Sequence, residues 1–243
     1  MELMNATVLI TGANRGLGLA FAREALARGA RKVYCAARDP AQVTLAGVVP
    51  IKLDVTKEDE VAAAALLCTD VTLVVNNAGI ANFGGFLAPG GVASARNHFE
   101  TNFLGMLHVS RAFAPILANN GGGALLNVLS VASWISRPEL AVYGASKSAA
   151  WSLTNGLRNE LQAQGTQVLA LHVGFIDTDL TRDLDVAKTP APIVAARAYD
   201  ALEGGASEVL ADEITQQVKQ GLSAQPGIYI TPSSVNQTAD QHD

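Results

Sequence analysis

At 243 residues the chain is longer than a typical small domain, yet parallel α/β units of this length fold as one. With 49% apolar and 16% charged residues it can bury a large core of Ala, Val, Leu and Ile, which excludes disorder except at the tail. A net charge of −5 without any Lys/Arg run excludes the basic footprint of a nucleic-acid binder, and no apolar stretch reaches the roughly 18 residues of a membrane span.

The opening MELMNATVLITG has neither a basic segment nor a long apolar one, so a soluble, cytoplasmic protein is expected. In chain order, strand-like runs at 6–10, 32–36, 48–53, 71–75, 124–129 and 167–172 alternate with helical patterns at 17–28, 58–68, 96–118 and 143–163. Such alternation predicts βαβ units, and two sets of three strands predict a Rossmann-type doubly wound parallel sheet with helices on both faces. Runs such as 71–75 are continuously apolar, as strands covered on both sides must be. The pattern weakens after Gly174: a helix at 193–203, a short strand at 208–211 and a helix at 212–222 are expected. No linker divides the chain, so residues 1–225 read as one domain and 226–243 as a polar, flexible tail. Cys35 and Cys68 lack metal-ligand or disulfide spacing and read as reduced packing residues; His98, His108 and His172 read as helix and strand-end residues, and no metal site is expected.

The first strand runs into Thr11-Gly12-Ala13-Asn14-Arg15-Gly16-Leu17-Gly18 and then a helix. Three glycines there permit a sharp turn and close approach of a pyrophosphate, and the helix N-terminus offers free N–H groups and a positive dipole end. Asn76-Asn77-Ala78-Gly79 follows the fourth strand at the carboxyl edge, where open α/β sheets bind ligands. Tyr143 and Lys147 sit one helical turn apart at the start of a helix, and Ser130 ends the strand before it. An ammonium beside a phenol stabilises the phenolate and tunes the group for proton transfer, while a hydroxyl can bind the oxygen on which charge develops.

Together, G-x-x-x-G-x-G, N-N-A-G and Ser130 with Tyr143-x-x-x-Lys147 resemble the short-chain dehydrogenase/reductase family over about residues 7–178. The resemblance implies hydride transfer between a nicotinamide dinucleotide and a carbonyl or alcohol. It implies that Ser130 holds the substrate oxygen, that Tyr143 exchanges its proton, and that Lys147 binds the nicotinamide ribose and lowers the tyrosine pKa. It also implies that Asn102 organises a proton-relay water, although an Asn within a helix can equally bond backbone. On the same basis the cofactor-binding set is Gly12, Asn14, Arg15, Gly16, Leu17, Gly18, Arg38, Asp54, Val55, Asn76, Ala78, Gly79, Tyr143, Lys147, Gly174, Ile176 and Thr178. Asp54 has a second reading as a cap for the following helix.

A carboxylate about 20 residues past the glycine turn takes the ribose 2′-OH of NAD, whereas the 2′-phosphate of NADP calls for a guanidinium. Arg38, closing the second strand, and Arg15 favour NADP(H); Asp39 beside Arg38 keeps NAD in play.

Two features depart from the family. Val173 stands where a proline usually precedes Gly174, and the C-terminal third lacks the usual glycine-rich closing strand. A homodimer or homotetramer is expected, with the apolar excess of the 143–163 helix (Ala149, Trp151, Leu153, Leu157, Leu161) as one contact face. The leading function is an NADP-dependent reductase of a small ketone or aldehyde; a 3-oxoacyl-carrier-protein reductase and a non-catalytic NADP-binding sensor are the alternatives. Phe83, Phe86, Trp134, Ile135, Leu140, Phe175 and Leu180 are expected pocket walls and suit an uncharged hydrophobic ketone. The polar stretch 177–192 is expected to be a lid that orders over bound ligands.

Overall fold

Runs such as TVLIT and LVVN carry side chains that suit a pleated surface packed on both sides. In the computed structural model, which describes residues 1–230, they form strands separated by helices. The order is β1 (Thr7–Thr11), α1 (Gly16–Ala27), β2 (Lys32–Ala37), β3 (Val49–Lys52), α2 (Glu58–Leu67), β4 (Leu73–Asn76), α3 (Gly91–Phe99), α4 (Gly105–Asn119) and β5 (Ala124–Val128). There follow α5 (Ala141–Glu160), β6 (Gln167–His172), β7 (Ile176–Asp177), β8 (Thr189–Pro190), α6 (Ala191–Glu203), β9 (Glu208–Leu210) and α7 (Glu213–Gly221). Residues 231–243 of the expected tail lie outside the described residues.

The main sheet is parallel, in the order β3-β2-β1-β4-β5-β6-β9. Strand order reverses between β1 and β4, which opens a crevice at their carboxyl ends. The short strand expected at 208–211 forms as β9 and joins the main sheet, pairing with β6 (Ala170↔Glu208) as a seventh strand beyond the two expected sets of three. Successive residues of each strand serve opposite faces. Val8, Ile10, Val75 and Leu126 pack with Phe21, Ala25, Val194 and Tyr199 of α1 and α6. Leu9, Val74, Leu125 and Val168 pack with Val61, Val109, Phe113 and Leu157 of α2, α4 and α5. Burial raises the Cys35 thiol to about 12 and the Cys68 thiol to about 11, so neither is a ready thiolate.

The apolar excess of α5 is largely absorbed inside the chain. Leu157 and Leu161 join the sheet core, and Trp151 meets Trp134 edge-on with ring centroids 6.2 Å apart. The helix expected at 96–118 instead starts at Gly91 and passes through a π-helical turn, Glu100–Leu104, before α4. The stretch 177–192 is tied down at both ends by a small parallel pair, Ile176↔Thr189 and Asp177↔Pro190. Beyond α7, Ile228 packs against the apolar group around Trp134 and Val218. Among the described residues no helix is long and apolar enough to cross a membrane.

Candidate active site

A cavity of about 910 Å³ opens along the carboxyl ends of the central strands, within the usual range for small-molecule sites. The turn after β1 forms one wall. Gly12 and Gly16 hold φ of +66° and +54°, which other residues rarely adopt, and a Cβ on Gly12 would lie 3.1 Å from the Ala78 backbone. A Cβ on Gly18 would fall 2.2 Å from the Gly12 carbonyl, so Gly18 lets α1 sit against the turn rather than facing the cavity. The first turn of α1 holds no acidic side chain and Arg15 supplies no side-chain cap, so the positive helix end faces the cavity uncompensated.

Beyond β2 the cavity is lined by Arg38, Asp39, Asp54 and Val55. Arg38 is exposed and its side chain has no partner among the described residues. Asp39 is engaged locally, accepting from Ala41 N at 3.1 Å and Gln42 Nε2 at 3.3 Å. Asp54 accepts from Thr56 N at 3.0 Å and Thr56 Oγ1 at 2.8 Å, a turn that shapes the cavity edge and does not cap α2, whose cap position is Lys57. Asn14 donates to Gln42 at 3.1 Å, and Arg15 lies 3.6 Å from Asp179 across the mouth.

At the opposite end stand Ser130, Tyr143 and Lys147. Ser130 follows β5 and caps the short turn Val131–Ser133, its Oγ accepting from Ala132 N at 3.1 Å. The Lys147 ammonium donates to the Val128 carbonyl at 2.8 Å and lies 5.9 Å from the Tyr143 ring centroid. Burial draws Lys147 down to about 8. Burial pushes the Tyr143 phenol up, while a hydrogen bond with Ser130 draws it back. In the free protein the phenol therefore keeps its proton at neutral pH.

Asn102 is buried in the π-helical turn. Its Oδ1 accepts from Ile80 N at 2.9 Å, and its Nδ2 donates to Ile80 O at 3.0 Å and Ser146 Oγ at 2.9 Å. These bonds go to the loop after β4 and to α5, not to the backbone of its own helix. π-turns of this kind recur beside functional sites.

Val173 in place of the family's proline does not leave Gly174 loose. Gly174 N donates to Asp212 Oδ2 at 2.6 Å, and a Cβ on Gly174 would lie 2.5 Å from Ile214. Asp212 also caps α7, accepting from Thr215 N at 3.0 Å. The C-terminal helix thus fixes the segment that carries Ile176 and Thr178 to the cavity. His172 is buried behind this wall, stacked on Trp134 at 3.9 Å between centroids and held near 4 by burial, hence neutral.

The cavity gathers Gly12, Asn14, Arg15, Gly16, Leu17, Arg38, Asp54, Val55, Ala78, Gly79, Ser130, Tyr143, Lys147, Gly174, Ile176 and Thr178. Gly18, Asn76 and Asn102 stand off it. Asn76 ends β4 with its side chain turned into the α4/α5 side, donating to Ser110 at 3.0 Å and Asn127 at 2.8 Å. The neighbour that reading the motif passed over, Asn77, faces the other way and lines the cavity, donating to Thr11 O at 2.9 Å and Gly12 O at 3.2 Å. Strand alternation alone separates these two roles. Phe83, Ile135, Leu140, Phe175 and Leu180 line the cavity, Phe83 and Leu180 from exposed positions at its edge; Phe86 is exposed and off the cavity, and Trp134 packs behind the wall. Arg137, Asn97 and Thr101 also line it and had no motif to mark them. Among the described residues no group of His, Cys, Asp and Glu could hold a metal ion.

The short chain dehydrogenase family model matches residues 6–189. A short chain dehydrogenase from Burkholderia cenocepacia J2315, solved in complex with NADP, is 37% identical; it superposes with a TM-score of 0.88 over 93% of this chain and 96% of that one. A galactitol 2-dehydrogenase (L-tagatose-forming) of Cereibacter sphaeroides is 35% identical over 191 residues, 74% of this chain and 75% of the relative. The ketoacyl reductase HetN of a Nostoc species is 29% identical over 96% of this chain and 88% of its own length.

Proposed function

Because the chain belongs to the short-chain dehydrogenase family, we propose that it is an NADP(H)-dependent reductase of a small ketone or aldehyde with a largely apolar body. The observation that carries this reading is that Ser130, Tyr143 and Lys147 share one cavity with the glycine turn and the open end of α1. Bound NADPH would supply the hydride. Gly12, Gly16 and the α1 N-terminus would hold its pyrophosphate, because a Cβ would fill the cradle and the N–H groups there lack capping side chains.

The residues of the chain then do the rest. Ser130 donates to the carbonyl oxygen and orients it toward Tyr143. Tyr143, protonated at neutral pH, gives its proton to that oxygen as negative charge develops there. Lys147, anchored on the Val128 carbonyl, keeps a cation beside the phenolate that results.

Support for NADP over NAD comes from two neighbours. The Arg38 guanidinium at the cavity has no partner among the described residues, whereas each oxygen of Asp39 already accepts a bond, from Ala41 N and Gln42 Nε2. The test is Arg38→Ala. Its dissociation constant for NADPH is expected to rise by about ten- to a hundredfold while that for NADH changes by less than about threefold. Equal loss for both cofactors would refute the assignment, and failure of a ketone and aldehyde panel to oxidise NADPH with the unmodified protein would refute reductase function.

A further inference from the structure

We infer that the substrate end of the cavity takes a carbonyl compound bearing a carboxylate, which Arg137 binds; this deepens the reductase reading and rests on it. Five arginines have no side-chain partner among the described residues: Arg23, Arg38, Arg96, Arg111 and Arg137. The first four are exposed, so water serves their donors; Arg137 is half-buried and lines the cavity. The other arginines are matched, as Arg28 is by Glu24, Asp200 and Glu203 at 2.7–2.8 Å. In a chain with a net charge of −5, a half-withdrawn guanidinium without a carboxylate partner is anomalous, since its five N–H donors lose water and gain nothing in return.

The position is fixed. Arg137 precedes the turn Pro138–Leu140 that leads into α5 and Tyr143, and Gly84 N donates to Glu139 O at 2.7 Å, which clamps this loop to the one carrying Phe83. Its chain neighbours Ile135 and Leu140 line the same cavity with apolar side chains, as does Phe83. A planar guanidinium in apolar surroundings matches a carboxylate two bonds at a time. One cation suits a monoanion better than a phosphate dianion, because the other arginines at the cavity, Arg15 and Arg38, lie by the glycine turn and β2. The ligand that fits has a carbonyl at Tyr143, an apolar body, and a carboxylate at the far end. This replaces the uncharged ketone expected from the apolar segments alone.

Two measurements on the full chain test it. With NADPH, levulinate and benzoylpropionate are compared with their methyl esters; the unmodified protein is expected to prefer the acids in kcat/KM by about ten- to a hundredfold, Arg137→Met to fall to near parity, and Arg137→Lys to keep part of the preference. Independently of turnover, calorimetry on the complex with NADP+ compares hexanoate with hexanamide, and the same preference should appear and vanish in Arg137→Met. No acid preference in the unmodified protein, or one that survives in a variant that still binds NADPH, overturns the inference. If no ketone is reduced yet hexanoate is preferred through Arg137, the carboxylate site stands and the reductase reading falls.

Discussion

Lys147 holds two contacts with one ammonium, and in the proposed reaction its charge state sets the useful pH range. Held near 8 by burial, it is a cation at neutral pH and loses its proton as pH rises through about 8, while the phenol of Tyr143, pushed upward, stays protonated over the same interval. The cation that stabilises the phenolate is then lost before the acid is. For reduction, kcat/KM for NADPH, which reports the free protein, should be level near pH 7 and decline above about 8. A profile level to pH ~10, where an unperturbed phenol titrates, would contradict this assignment. At this scale the proposed catalytic residues are legible because chemistry restricts their types and spacing. Asn77 was hidden beside Asn76 because a motif does not say which side chain faces which side of a strand, and Arg137 because an isolated arginine in a loop carries no pattern.

Among elements, α7 is the one whose purpose no motif announces. Asp212 caps it with one oxygen and holds Gly174 with the other, so a helix near the end of the described chain positions the segment carrying Thr178. Asp212→Ala removes both bonds. The cost should be about 1–3 kcal/mol in urea unfolding, with KM for the cofactor raised more than kcat is lowered; unchanged stability and unchanged KM would show that Gly174 is held by other means. The stretch 177–192, anchored by β7 and β8, contributes Thr178, Asp179, Leu180, Thr181 and Leu184 to the cavity, and few of its side chains are buried. Its amides should exchange more slowly with NADPH and a keto acid present than without. Equal protection in both states would make it a fixed wall. The helical stretch from Gly91 to Asn119 was legible except at its start, since Gly91 gives no start signal, and its π-turn leaves no periodic trace.

The whole molecule was legible where both faces of the sheet are covered, because six of the strands read as runs of Val, Leu, Ile and Ala bounded by turn residues. The seventh, Glu208–Leu210, was expected as a short strand at 208–211, but three residues carry no pattern that assigns them to the sheet edge; β7 and β8, in a separate small sheet, are two-residue strands set by contacts distant in sequence. The fold brings the turn after β1, the end of β5 and the start of α5 to one cavity, where in the proposed reaction Tyr143 gives its proton to a carbonyl oxygen. The most direct test is NADPH oxidation with a reducible ketone by the unmodified protein and by Tyr143→Phe, which keeps the ring and removes the proton. Turnover is predicted to fall by about a hundredfold or more with NADPH binding retained; near-normal turnover in Tyr143→Phe would contradict the account.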